Sequence, residues 1–379
     1  MLYRKLGKTN EKVSVLGFGC MRFPTIDGQD DRIDEERATK MLRYAIDNGV
    51  NYLDTAYPYH EKMSEPFLAK ALQDGYREKV YLATKLPSWE IKIRQDMDYY
   101  LNEQLKRLQT DRIDFYLIHA FNQKRWENLK ELGVFEFLDS AIADGRIKYA
   151  GFSFHDKVDL FKEIVDAYDW AVCQIQYNYL DEDFQAGRKG LEYAAKRGLG
   201  IIIMEPLRGG RLAAGIPEDI QAVWNKASIK RSPAEWALRF LWDHSEIDVV
   251  LSGMSNMEQV RENIEIAGRG YPNSLAEQEK KLIDEVKKIY KSKIKVNCTD
   301  CRYCLPCPEG VNIPACFESL NNATMFEDIT AFRKRYHNLL DEDERASKCI
   351  GCGKCEKACP QNIAIPEMLK EVAESFEKT

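Results

Sequence analysis

An α/β fold is predicted: a (β/α)8 TIM barrel over residues 1–285, followed by a small, mainly helical, cysteine-rich domain over residues 286–379. Three observations predict it. Short apolar runs alternate with amphipathic helical stretches throughout the larger part. Those runs are continuously hydrophobic, as parallel strands covered by helices should be, and lack the strict alternation of a half-exposed sheet. Of the eleven cysteines, all but Cys20 and Cys173 crowd between Cys298 and Cys359, and this change of composition marks a domain boundary near residue 290.

The strand candidates are, in order, "VSVLGFGC", "VNYLDTA", "KVYLATKL", "RIDFYLIHA", "IKYAGFSF", "WAVCQIQYN", "LGIIIMEPL" and "IDVVLSGM". Eight such β–α units suit a barrel, whose usual length is about 250 residues. The intervening helices are punctuated. In "DEERATKMLRYAIDNG", Asp34 can cap the start, Ala38, Met41, Leu42, Ala45 and Ile46 form one apolar stripe, and Gly49 takes the C-terminal glycine position. In "SPAEWALRFLWDH", Ser232 caps and Pro233 occupies the first turn. The rival architecture is an open doubly wound sheet. Against it, "GFGCMR" after the first run is a lone Gly-x-Gly and not the G-x-G-x-x-G phosphate fingerprint.

Hydrophobic residues make up 44% and charged residues 31% of the chain, an ordinary globular mix. A net charge of −6 gives no broad basic field for nucleic acid or an anionic membrane. No apolar stretch has membrane-spanning length, and "MLYRKLGKTNEKVSVLGFG" lacks the apolar core of a signal peptide. A cytoplasmic protein with reduced thiols is the expectation.

The late cysteine run reads Cys349-x2-Cys352-x2-Cys355-x3-Cys359-Pro360. Two-residue gaps wrap a chain so that three thiolates reach three irons of one cubane, and Gly351 and Gly353 permit the tight turns this needs. The early run, Cys298-x2-Cys301-x2-Cys304-x2-Cys307-Pro308, has a last gap one residue shorter. Zinc sites favour paired Cys-x2-Cys knuckles, and disulfides conflict with a reducing compartment. The late spacing resembles that of bacterial ferredoxins, which implies a ferredoxin-like domain with two [4Fe–4S] clusters. In two-cluster ferredoxins the fourth cysteine of each run ligates the other cluster. That resemblance implies one cluster on Cys298, Cys301, Cys304 and Cys359, a second on Cys349, Cys352, Cys355 and Cys307, and Cys316 left over as a buried thiol.

Catalytic residues of a barrel sit at the C-terminal ends of its strands. The second run ends in Asp54, Tyr57 and Tyr59, the third in Lys85, the fourth in His119. Their chemistry is coherent. A phenol near pKa 10 is a poor acid at neutral pH; a neighbouring ammonium stabilises the phenolate and is expected to lower that pKa. A carboxylate would keep the ammonium charged, and an imidazole could hydrogen-bond a substrate oxygen. Such a set protonates a carbonyl oxygen as hydride arrives at its carbon.

On "LGFGCMRFP", "GVNYLDTAYPYH", "VYLATKLP", "DFYLIHA" and "GMSNMEQVREN", residues 1 to about 270 resemble an aldo-keto reductase, and barrels with such a cysteine-rich extension form a recognisable subgroup. The resemblance implies Tyr59 as general acid, tuned by Lys85 and Asp54, with His119 orienting the carbonyl. It implies NAD(H) or NADP(H) across the barrel mouth. Ser153 and Gln174 match the residues that hold the carboxamide, and Gly19, Cys20, Pro206, Leu207, Gly209 and Ser255 join the cofactor set. Three departures stand out: Met204 replaces a stacking ring, Phe154 replaces an Asn, and Gly253 and Gln259 replace the cations that grip a 2′-phosphate. Glu262 and Asn263 remain for the adenine side, with Asn256 capping the helix.

Smaller features point less far. Trp89 and His155 are candidates for the rim of the mouth. The lysine-rich stretch "VKKIYKSKIK" before the first cysteine run reads as a solvated helix end, or as a docking site for an acidic electron carrier. "NNATMFEDITAFRKRYHNLLDEDERA" reads as one or two helices and "IPEMLKEVAESFEKT" as a final amphipathic helix.

Three functions follow. The first is NAD(P)H-dependent reduction of an aldehyde or ketone, a small-molecule carbonyl substrate, with clusters for structure or electron relay. The second is a cluster-fed electron-transfer oxidoreductase working with a ferredoxin- or flavodoxin-type carrier, or with a flavin, for which the sequence shows no motif. The third is a redox sensor whose barrel binds nucleotide, as in the potassium-channel auxiliary subunits of the same family.

Overall fold

In the computed structural model of the protein, which describes residues 1–378, eight parallel strands close into a barrel. A short antiparallel hairpin precedes it, β1 (Tyr3–Lys5) and β2 (Lys12–Ser14). The barrel strands are β3 (Leu16–Gly19), β4 (Tyr52–Asp54), β5 (Tyr81–Leu86), β6 (Ile113–Phe121), β7 (Ile147–Phe154), β8 (Val172–Gln176), β9 (Gly200–Met204) and β10 (Val249–Ser252). Each arises from one of the apolar runs, in order. Pairing of β10 with β3, Val250 opposite Leu16, closes the ring and excludes the open sheet.

Side chains sort by the alternation of a strand. Tyr116 and Ile118 of β6 join the large core between strands and helices. Phe115 and Leu117 point the other way, into an inner core with Tyr52, Ala83, Val172, Ile202, Val249 and Leu251. This parity places the chemistry. Asp54, Lys85, His119 and Gln174 each lie two residues beyond an inward-facing residue, namely Tyr52, Ala83, Leu117 and Val172. They form the next layer up, at the C-terminal end of the barrel.

The helices follow their punctuation. In the helix Glu35–Asp47, Asp34 Oδ1 accepts from Arg37 N at 3.1 Å, and Ala38, Met41, Leu42, Ala45 and Ile46 are its buried face. Ser232 caps Pro233–Asp243 by accepting from Glu235 N at 3.1 Å. The opposite end of the barrel is plugged by the hairpin, whose Leu6 and Val13 belong to the inner core.

The chain divides into two compact units, one of Met1–Ala213 with Arg231–Ala276, the other of Ala214–Lys230 with residues 277 onward. The helix Glu277–Ser292, which a division at residue 285 cuts, belongs whole to the second unit, together with Glu218–Trp224. That unit is built on helices Ile313–Met325, Ile329–Leu339 and Ile365–Phe376, joined through Phe317, Tyr336, Leu369, Val372 and Phe376. Tyr336 ties it by donating to Glu377 Oε1 at 2.7 Å and accepting from Ala346 N at 2.8 Å. Among the described residues no helix is long and apolar enough to cross a membrane.

Gly7 in the hairpin turn holds φ at +48°, and a Cβ there would lie 2.2 Å from Gly200 N of β9. Backbone cannot yield as a side chain can. Gly7→Ala is therefore expected to destabilise the barrel by at least about 2 kcal/mol, read as a melting temperature lowered by several degrees, while Gly28→Ala, in open space, costs no more than the left-handed conformation itself.

Candidate active site and cysteine pockets

Lys85 lies at the centre of the layer at the barrel mouth. Its ammonium is buried and donates to Asp54 Oδ1 at 2.7 Å, to the Thr55 carbonyl at 2.8 Å and to Tyr59 Oη at 3.3 Å. The second carboxylate oxygen of Asp54 accepts from Gln174 Nε2 at 3.2 Å. The Tyr59 ring meets His119 edge-on, with centroids 6.1 Å apart. The four residues from three separate strand ends thus converge on one phenol. Tyr57 instead packs edge-on against Tyr100 at 5.2 Å, away from this chain of contacts.

Burial pushes Asp54 up, against the pull of Lys85 and the Gln174 N–H. Burial also opposes the charge on Lys85, yet Asp54 and Tyr59 outweigh it and Lys85 moves up. With three acceptors around one ammonium, the Lys85 direction governs and the pair is ionised. For Tyr59 the expectation from sequence is reversed. Lys85 does pull the phenol down, but burial raises it more, so Tyr59 lies above 10 and holds its proton. His119 is driven well below 6.5 by burial first and then by Lys85, His155 and Arg125, so its imidazole is neutral.

Gln174 lies opposite Ser153 in the β7–β8 register. Ser153 Oγ accepts from Ala120 N at 2.7 Å. Gln174 Oε1 and His119 Nδ1 are buried with no hydrogen-bond partner among the described residues. Cys20, buried at the end of β3, donates its backbone N–H to the Asp54 carbonyl at 2.8 Å. Met204, Pro206, Leu207 and Gly209 follow β9, and Gly209 takes φ +65°. A Cβ on Gly253 would meet the Arg22 side chain at 3.2 Å, so an arginine stem crosses the position where the sequence lacks a cation. Asn256 caps the helix Met257–Ala267 by accepting from Gln259 N at 2.9 Å, and Gln259 turns back to accept from Ser255 N at 2.8 Å. Glu262 is exposed on that helix. Asn263 is buried and donates to Ser252 Oγ at 2.9 Å, which anchors the helix to β10.

Sequence reasoning missed Arg125. It enters the mouth from the helix Gln123–Glu131 and stacks 5.3 Å over Trp89, whose ring is 5.1 Å from His119. The Asn122 cap signals the start of its helix in the sequence but not the direction of the arginine.

In the second unit, one pocket is lined by Cys298, Cys301, Cys304 and Cys359, another by Cys307, Cys349, Cys352, Cys355 and the shared Cys304. The early run turns as the late one does. Asp300 and Arg302 take φ +50° and +66°, where the late run has Gly351 at +69° and Gly353 at +67°. Among the described residues no three Cys, His, Asp or Glu side chains converge as ligands of a single metal ion. The thiols line two pockets, and a set made of cysteines alone is the donor chemistry that multi-iron clusters use. Cys316 is buried against Tyr336 at 3.8 Å. Within the lysine-rich stretch, Lys293 bridges Asp219 at 2.9 Å and Glu327 at 2.8 Å, and Lys295 lies 3.6 Å from Glu371.

Comparison with known proteins agrees with both parts. The model of the aldo/keto reductase family matches residues 15–288, and that of the 4Fe-4S dicluster domain matches residues 297–364. The uncharacterized oxidoreductase YqkF of Bacillus subtilis (strain 168) is 27% identical over 323 residues, covering 77% of this chain and 99% of that protein. Among solved structures, the holo form of the aldo-keto reductase AKR11C1 from Bacillus halodurans aligns with a TM-score of 0.63 at 26% identity, over 76% of this chain and 96% of that one. The thermostable aldo-keto reductase Tm1743, solved with the inhibitor epalrestat, aligns with a TM-score of 0.61 at 28% identity, over 76% of this chain and 100% of that one.

Removing one charge of a buried pair leaves the other uncompensated. Lys85→Met is expected to destabilise the barrel by about 3–5 kcal/mol, and adding Asp54→Asn should recover most of that loss. Chemical denaturation of the single and double variants checks it; equal destabilisation in both would show that packing and not charge is at stake.

Proposed function

The chain belongs to the aldo/keto reductase family, and on that premise we propose that it reduces an aldehyde or ketone to the alcohol at the expense of NADH or NADPH. The observation that carries this reading is the hydrogen-bonded chain from Asp54 through Lys85 to Tyr59, closed by His119 across the same phenol. When bound, the reduced nicotinamide supplies a hydride to the carbonyl carbon. Tyr59 gives the proton on its Oη to the carbonyl oxygen, so that hydride and proton together complete the alcohol. The phenolate left behind is stabilised by the Lys85 ammonium at 3.3 Å, which Asp54 keeps charged, until a proton from solvent restores it. His119, neutral, donates an N–H to the same oxygen and fixes its place without competing as an acid.

The residues present fit the cofactor. Gln174 Oε1, a buried acceptor without a partner, suits the N–H of a carboxamide, with Ser153 beside it. Gly19, Cys20 and Met204 would border the ring, and Pro206, Leu207, Gly209 and Gly253, the last under the Arg22 stem, would border the phosphates. Ser255, Asn256, Gln259 and Glu262, at the start of the helix Met257–Ala267, would face the adenine end, while Asn263 holds that helix in place.

The two cysteine pockets support two [4Fe–4S] clusters with crossed ligation, one on Cys298, Cys301, Cys304 and Cys359, the other on Cys307, Cys349, Cys352 and Cys355. These thiolates would hold groups that move electrons singly, so carbonyl reduction itself does not require them.

Tyr59→Phe is expected to lower kcat for aldehyde reduction by roughly 10²-fold or more while nicotinamide binding, read by fluorescence quenching, persists; a surviving rate would show that another group is the acid. The reaction uses a protonated phenol, present below a pKa that lies above 10, and a neutral imidazole, present above a pKa well below 6.5. In wild type, kcat should therefore be flat between about pH 6.5 and 10, with both limbs outside that window.

Ligand pairing is tested by iron content. Cys298→Ala and Cys359→Ala, alone or combined, should each reduce iron from about eight to about four per chain, because they disable one cluster. Cys298→Ala with Cys307→Ala should remove both; the opposite pattern would overturn the crossing.

A further inference from the structure

We propose that Arg125 forms a carboxylate-binding subsite beside His119, so that the carbonyl compound reduced here carries a carboxylate group. This rests on the reductase reading of the same site and names the class of its substrate.

Arg125 is the third residue of the helix Gln123–Glu131, and its backbone N–H is fixed by Asn122 Oδ1 at 3.0 Å. Its guanidinium is partly buried, 5.3 Å over the Trp89 ring, and that ring is in turn 5.1 Å from His119. One Nη1–H donates to the Ala120 carbonyl at 2.7 Å. Among the described residues Arg125 has no ion pair. Asp156, the acid near this helix end, is spent on the backbone N–H groups of Gln123 at 3.0 Å and Lys157 at 2.7 Å.

The charge balance of the mouth follows. Lys85 is neutralised by Asp54 at 2.7 Å. Burial is the main force holding His119 and His155 below 6.5, and Arg125 adds to it in both. What remains on the His119 side of the mouth is the positive charge of Arg125, stacked on an aromatic wall next to the group that orients the carbonyl. A partly desolvated cation without a counter-charge is costly, and a planar guanidinium with free N–H groups matches a carboxylate in a fork. The cation–π contact with Trp89 holds the plane in place without neutralising it. A neutral substrate would leave this charge uncompensated beside the reacting atoms. A substrate with a carboxylate a short distance from its carbonyl would neutralise it and be oriented by two anchors, Arg125 at one end and the Tyr59–His119 pair at the other.

The test compares 4-oxobutanoate with its methyl ester, which have the same aldehyde and differ in one charge, using the full chain with its clusters. Wild type is expected to favour the acid in kcat/KM by roughly tenfold or more. In Arg125→Gln that ratio should fall toward one, mainly through a raised KM for the acid. Arg125→Lys, which keeps the charge but not the fork, should restore part of it, and Arg125→Met reads the same ratio if the Gln variant is not recovered folded. No preference in wild type, or a ratio unchanged by the substitutions, overturns the proposal. If neither aldehyde is reduced, the reductase reading fails separately, and calorimetric titration with succinate decides the subsite. Binding heat present in wild type and lost in Arg125→Gln upholds it; heat absent in wild type, or equal in both, overturns it.

Discussion

A charged ammonium deep in a protein demands partners on every side, and the burial of Lys85 sets the terms for the rest of the barrel mouth. Its three acceptors come from one strand end and the loop that follows it, Asp54, the Thr55 carbonyl and Tyr59. Asp54 is steadied in turn by Gln174, from a strand on the far side of the ring. Moving any of these strand ends by one residue would turn its side chain outward and leave the ammonium uncompensated. The closed ring of eight parallel strands, with β10 paired to β3, is what makes that parity hold all the way round.

The same pair governs protons. Lys85 pulls the Tyr59 phenol down while burial lifts it further, so the group is held as a proton donor whose conjugate base has a cation waiting. His119, with burial and cations against it, is held as a neutral donor. The phenol of Tyr59 and the imidazole of His119 are thus set apart by environment, and on the proposed reading that suits an acid and an orienting donor working on a carbonyl near neutral pH.

Much of this was legible in the sequence because it is local or periodic. The eight apolar runs, the caps at Asp34 and Ser232 and the stripe from Ala38 to Ile46 follow from backbone geometry alone, and the two-residue alternation then carries Asp54, Lys85 and His119 into one layer. What could not be read is tertiary. The direction of the Tyr59 shift depends on how much burial outweighs one ammonium, a balance that no spacing encodes. Arg125 comes over Trp89 from a helix that starts right after β6, a strand whose register breaks near its end, where Ala120 takes φ +52°. In the early cysteine run, Asp300 and Arg302 adopt turns that sequence reading assigns to glycine, so the likeness of the two runs is clearer in backbone than in residues. Glu218–Trp224 is remote in sequence from the unit it joins, and nothing local announces that.

The placing of Cys359 in the same pocket as Cys298, Cys301 and Cys304 has a consequence for how the protein is made. The first three emerge from the ribosome well before the fourth, with two helices, Ile313–Met325 and Ile329–Leu339, synthesised in between. Until residue 359 appears the pocket lacks a wall, and the nascent chain holds three adjacent thiols open to any thiophilic metal or oxidant it meets. The barrel can close once β10 has emerged to pair with β3, whereas the cysteine-rich unit has to wait for residue 359, and the interval between them is a period in which those thiols stay exposed.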